Sequence, residues 1–77
     1  MNKTRWVPEG ATLFHKNAVL NLEVYTYQRA GRPVAIGYYG RCTKPSLHGT
    51  YKTDASLREY VSQLETSLEE HRARVAA

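Results

Sequence analysis

The sequence predicts an α+β domain: a small antiparallel sheet of three to four strands with one long C-terminal helix packed on one face. Three observations carry that reading. The stretch "AVLNLEVYTYQ" (residues 18–28) alternates, with Leu20, Leu22 and Val24 to one side and Asn21, Glu23, Tyr25 and Tyr27 to the other. A period of two with β-branched and aromatic residues marks a half-buried strand. The stretch "VAIGYYG" (residues 34–40) alternates again, with Val34, Ile36 and Tyr38 on one face. Finally, Leu57, Tyr60, Val61, Leu64 and Leu68 recur at helical spacing, which gives one apolar stripe.

Taken in order, residues 1–11 read as an N-terminal arm. Trp6 and Val7 are placed to tack it down, and Pro8 and Gly10 break regular structure. A short strand is expected over residues 12–15, followed by a turn at Lys16 and Asn17. The alternating run at 18–28 and the run from Val34 flank "RAGRP", where Gly31 suits a positive φ and Pro33 suits a strand entry. Two such runs around a short glycine-containing loop make a β-hairpin. "TKPS" reads as a turn and "LHGTYKT" as a further strand. The sheet thus occupies residues 12–53 and the helix residues 54–75, all in one domain of residues 1–77. Thr53 or Asp54 can cap the helix start, and Ser56 with Glu59 offers a capping box as the alternative. The expected core joins Leu20, Leu22, Val24, Val34, Ile36 and Tyr38 to Leu57, Val61, Leu64 and Leu68. Glu65, Glu69 and Glu70 fall on the exposed side of the helix. The opposite sheet face, with Tyr25, Tyr27 and Tyr39, is left without a cover, and such a face binds a partner or forms a homodimer seam.

Composition narrows the classes. Seventy-seven residues form a small core, and a chain of this size is marginal without a staple, metal or partner. The one cysteine, Cys42, has no internal disulfide partner, which fits a reducing compartment. The segment "MNKTRWVPEG" has no apolar h-region, and no apolar run is long enough to span a bilayer. The expectation is a cytoplasmic protein of a host bacterial cell, without membrane partners. The net charge of +4 is unevenly spread. Residues 1–53 hold eight Lys/Arg and two acids, and residues 54–77 hold three and five. A basic half joined to a mildly acidic half points to two faces with different partners.

Candidate chemistry divides sharply. Cys42 and His48 suggest a thiol and its base, but that pairing needs an orienting third group and none is at hand beyond Glu23. No catalytic residues are therefore assigned. His15, Cys42, His48 and His71 lack the paired spacings of a zinc site, and the glycines form no phosphate-binding loop. Neither metal nor cofactor is expected. Binding chemistry is better represented. Arg29, Arg32, Arg41, Lys44 and Lys52 gather around the hairpin ends, interleaved with Tyr25, Tyr27, Tyr38, Tyr39 and Tyr51, and His48 follows the "TKPS" turn. Lysine and arginine gain affinity for phosphates by counterion release, and aromatic rings on a sheet stack bases.

One segment resembles a known family. "AIGYYGR", then "KP", then a histidine, an aromatic and a helix with an early arginine are carried here by Ala35, Ile36, Tyr39, Gly40, Lys44, Pro45, His48, Tyr51 and Arg58. Over residues 34–64 the chain resembles a large polyvalent protein-associated domain of phages and conjugative elements. It departs from that pattern at Gly49, where a bulkier residue is expected. The resemblance implies a context of mobile genetic elements, DNA transfer and evasion of host defence. At class level, a small free-standing protein of this context is similar to anti-CRISPR proteins, compact and non-enzymatic. The expected function is therefore inhibition of a host CRISPR effector complex by direct binding. The alternative is a basic DNA- or RNA-binding accessory module that uses the hairpin surface.

Overall fold

The computed structural model describes residues 5–76, so the first four residues of the expected N-terminal arm lie outside the described residues. Four strands, β1 (Thr12–Asn17), β2 (Leu22–Arg29), β3 (Arg32–Tyr38) and β4 (Leu47–Thr50), precede one helix, α1 (Asp54–Ala76). The strands form one antiparallel sheet in the order β1-β2-β3-β4. The predicted α+β class and the long C-terminal helix are present.

The phase of β3 differs from expectation. Its register pairs Tyr25 with Ile36, Tyr27 with Val34 and Glu23 with Tyr38. Residues opposite each other share a face, so Val34, Ile36 and Tyr38 lie with the tyrosines of β2 and not with Leu22 and Val24. The helix packs instead on Leu20, Leu22, Val24 and Ala35 through Leu57 and Val61, with Phe14, Tyr39, Leu47, Tyr51, Leu64 and Leu68 around them. Small residues at 35 and 37 suit the crowded side. A Cβ at Gly37 would come within 3.3 Å of Leu47 Cβ.

The second face is also dry. Val34, Ile36 and Tyr38 are as deeply buried as the residues under the helix. The N-terminal segment lies across this face, so it is not the uncovered surface expected. The Arg5 guanidinium donates to the carbonyls of Cys42 (3.0 Å) and Gly40, pairs with Glu23 at 3.3 Å, and sits 5.3 Å from the Tyr38 ring centre. The Tyr38 hydroxyl donates to the Trp6 carbonyl. Burial pushes the Tyr38 phenol above its ordinary value, opposed by Arg5, so it remains a donor at neutral pH.

The β1 strand runs to Asn17, beyond the end expected for it. Its register steps between Leu13 and His15, which leaves Phe14 as a bulge. A bulge adds one residue and shifts the alternation after it. Without it, Phe14 and Lys16 would face the helix, and His15 and Asn17 would face away. With it, Phe14 packs on the core and both His15 and Asn17 reach Glu65 of α1, at 2.7 and 2.8 Å. Glu65 is thus half-buried, not on the solvent side where helical spacing put it. The turn at residues 18–21 belongs to Asn17 as well, whose side-chain oxygen accepts from the amides of Val19 and Leu20.

The helix begins on a reciprocal cap. Thr53 Oγ1 accepts from the Ser56 amide at 3.0 Å, and Ser56 Oγ accepts from the Thr53 amide at 3.2 Å. This is a capping box with serine in the glutamate position. At 23 residues the helix is about 35 Å long. Its contacts with the core end at Leu68, and residues 69–75 are exposed.

Two outcomes test these joints. Thr53→Ala removes a side-chain cap and costs about 1 kcal/mol, read as a Tm lowered by about 4–8 °C for a domain this small. An unchanged Tm would show that the cap contributes nothing. The second concerns acid. Hydrogen bonds from Asn17 and His15 hold the Glu65 carboxyl below the ordinary 4.5, against the opposing effect of burial. A lowered folded value means the stabilisation is complete above the ordinary value and is lost as pH falls through the lowered one. Thermal melts from pH 6 to 3 should therefore fall less for Glu65→Gln than for the wild type; parallel curves would exclude the clamp.

Candidate anion-binding interface

The β2–β3 hairpin closes with two residues. Arg29 pairs with Arg32, and Ala30 and Gly31 between them have φ of 54° and 77°. Two consecutive positive φ values define the type I′ turn, whose twist matches that of the strands it joins. Glycine adopts this geometry freely and alanine does not. The tight turn holds the two guanidinium-bearing residues opposite each other at the tip of the sheet.

The antiparallel return of β4 brings more residues to the same end. Thr50 pairs with Val34, and the Tyr51 amide donates to the Pro33 carbonyl at 3.3 Å. Lys52 follows immediately and is exposed. On the face away from the helix, the Tyr27 hydroxyl and His48 Nε2 share a hydrogen bond of 3.0 Å that spans β3. A hollow of about 420 Å³ opens here, lined by Arg29, Ala30, Arg32, Val34, His48 and Thr50. Two guanidinium groups and an imidazole border it, and no carboxylate does. Planar guanidinium forks match the oxygens of phosphates and carboxylates.

The other expected site residues are elsewhere. Arg41 and Lys44 lie on the loop at residues 39–46, at the far end of β3. Seven residues of strand put about 20 Å between the two ends. That loop is anchored by Arg5 and by Asn21, whose side chain also donates to the Gly40 carbonyl. Tyr25 shares the outer face with Tyr27 but its hydroxyl donates to Glu23 at 3.2 Å. Burial, and then the Glu23 carboxylate, push its phenol above the ordinary value. Tyr39 packs against the core under the helix, so the three tyrosines do not form one stacking platform. Cys42 is exposed on the loop, while the His48 ring nitrogen is engaged by Tyr27. Among the described residues, no three His, Cys, Asp or Glu side chains converge as a metal cage.

Sequence reasoning brought Arg29, Arg32, Lys52, Tyr27 and His48 into view but grouped them with Arg41 and Lys44. The length of β3 is the signal that separates the two groups. Arg5 went unnamed, because a lone arginine in an irregular segment carries no periodicity. No helix among the described residues is long and apolar enough to cross a membrane. No family model, curated protein or solved structure matches the chain.

The turn geometry sets a test. Asparagine tolerates positive φ better than alanine, so Ala30→Asn should stabilise the fold by about 0.5–1 kcal/mol. Urea unfolding measures this directly, and a loss of stability would contradict the type I′ assignment.

Proposed function

We propose that this chain is a non-enzymatic binding protein that presents its hairpin tip to an anionic surface of a larger assembly. The observation that carries this reading is the hollow bordered by Arg29, Arg32 and His48 with no carboxylate in its lining. Lys52 adds a further positive charge at the same end. Exposed arginines beside a shallow hollow gain little from the fold itself, and their chemistry suits oxygen anions. The setting we propose is counter-defence by a mobile genetic element, with a host CRISPR effector complex as the partner. The resemblance of residues 34–64 to the polyvalent protein-associated domain supports that setting, and this segment runs from β3 into α1.

A second reading rests on a separate observation. Arg41 and Lys44 stand about 20 Å from the tip along the same sheet, which is the reach of about six nucleotides of one strand at 3.4 Å each. A DNA or RNA backbone lying along the sheet would meet basic groups at both ends.

One experiment separates the two. Tagged protein is expressed in a bacterium that carries CRISPR systems, and captured complexes are compared with and without nuclease. A defence complex retained after nuclease, with affinity reduced about a hundredfold by Arg29→Glu combined with Arg32→Glu, supports the first reading, since each charge-assisted hydrogen bond is worth about tenfold. Arg41→Glu with Lys44→Glu should then change little. Capture that disappears with nuclease, together with nucleic-acid affinity that falls steeply with salt, supports the second. Retention of full binding by the Arg29/Arg32 double variant overturns the assignment of the tip in both.

A further inference from the structure

The two edges of the sheet are not alike. Natural sheets blunt their edges with charges, prolines or bulges, because an unpaired strand edge recruits other strands. The β1 edge carries the Phe14 bulge and the charged Lys16. The β4 edge carries neither. Its sequence is Leu-His-Gly-Thr, and no described segment pairs with its outer side. Beside it a groove of about 460 Å³ runs between β4 and the first turns of α1, with Leu47, Gly49, Tyr51, Leu57 and Tyr60 among its walls. Tyr60 is 52 % exposed there, and among the described residues no Lys, Arg, Asp or Glu lines the groove. In a chain of net charge +4, this is a face on which two copies would meet without charge repulsion from the groove walls.

We infer that the β4 edge pairs with the β4 edge of a second copy, giving a continuous eight-stranded antiparallel sheet. The register follows from the sequence. A two-fold axis perpendicular to the sheet keeps helices on one side and requires opposed residues to share a face. The two interior residues of β4, His48 and Gly49, are the centres that keep the strands overlapped along their length. Centring on His48 would oppose Leu47 to Gly49 of the partner copy, which leaves the leucine without a facing side chain. Centring on Gly49 opposes Leu47 to Tyr51 of the other copy, both of which pack toward the helix side, and opposes Thr50 to His48 and Lys52 to Ser46. This second register is self-complementary in polarity. At the axis, a Cβ on Gly49 would meet nothing within 4 Å in the single chain, so the backbones approach freely.

The strand edge alone is too small for a stable dimer, which needs about 800 Å² from each partner. The groove walls have to supply the remainder, and Tyr60 is the exposed ring among them that a second copy would cover. The interface leaves Arg29 and Arg32 outside it, while His48 and Thr50 border both the interface and the tip hollow.

Sedimentation equilibrium of the whole chain tests the inference. The wild type should have twice the 8.8 kDa mass of one chain at sub-millimolar concentration and moderate salt. Gly49→Lys places two ammonium groups at the axis, at a position with open space around it, and should weaken association at least about tenfold with an unchanged far-ultraviolet dichroism spectrum. Tyr60→Glu, on an exposed helical position, should do the same and serves if Gly49→Lys does not fold. Arg29→Glu with Arg32→Glu should dimerise as the wild type does, whatever happens to its partner binding. A monomeric wild type, dimers insensitive to folded Gly49→Lys or Tyr60→Glu, or a foreign strand captured in place of the second copy would each overturn it.

Discussion

The arrangement of the whole molecule follows from the alternation of large and small residues in β3. Val34, Ile36 and Tyr38 are large, and Ala35 and Gly37 between them are small. The large set faces away from the helix, where all three side chains are buried. The small set faces the helix, where bulk comes from Leu22 and Val24 of the neighbouring strand and from Leu57 and Val61. A sheet built this way has two apolar faces and needs two covers. The helix is one, and the N-terminal segment is the other. This explains why an irregular segment is held by so many polar contacts: Arg5 alone ties it to β2, to the loop at residues 39–46 and to the Tyr38 ring. With a side chain 14 % exposed, that ion pair is screened less than a surface one.

The bulge at Phe14 has a comparable reach. One added residue in β1 turns two polar side chains inward at the edge of the core, where a regular strand would have aimed them at solvent. The helix answers with Glu65, and the aromatic ring of Phe14 receives the Arg58 guanidinium at 4.9 Å. The outer strand is thereby fastened to the helix by hydrogen bonds and a cation–π contact, where its own apolar content is low. The same bulge spoils β1 as a template for further pairing. Fastening and edge protection come from a single backbone irregularity, and the asymmetry between the two sheet edges is its consequence.

Much of this was legible in the sequence, and the failures have physical reasons. Period-two alternation found β2 and β3, and the Leu57–Leu68 spacing found α1. The hairpin was legible because "AGR" can hardly close two strands otherwise. Alternation defines two faces in each strand but does not say which face of one strand joins which face of the next. That depends on turn length, and a two-residue turn put Val34 beside Tyr27. The expected core therefore mixed two faces. The bulge was invisible, because "TLFHKN" has no glycine or proline to announce it, and so Glu65 was read as a solvated helix charge. At the candidate site, residues close in the hairpin were placed correctly, whereas Arg41 and Lys44 were joined to them by charge alone. Charge has no direction along a chain; strand length does.

The basic side chains sort by what they touch. Arg5 and Arg58 are spent on the fold, the first in a half-buried ion pair and carbonyl contacts, the second against Phe14. Arg29, Arg32 and Lys52 are exposed and form no ion pair among the described residues. Their mutual proximity at the tip is repulsive in the isolated chain and is relieved only by an anion or by counterions. An arrangement that is mildly unfavourable alone and favourable with an oxyanion partner is what binding requires, since only a difference between the two states contributes to affinity. The tip can be so arranged because the tight turn, not side-chain packing, holds it. Changes there leave both covers of the sheet in place.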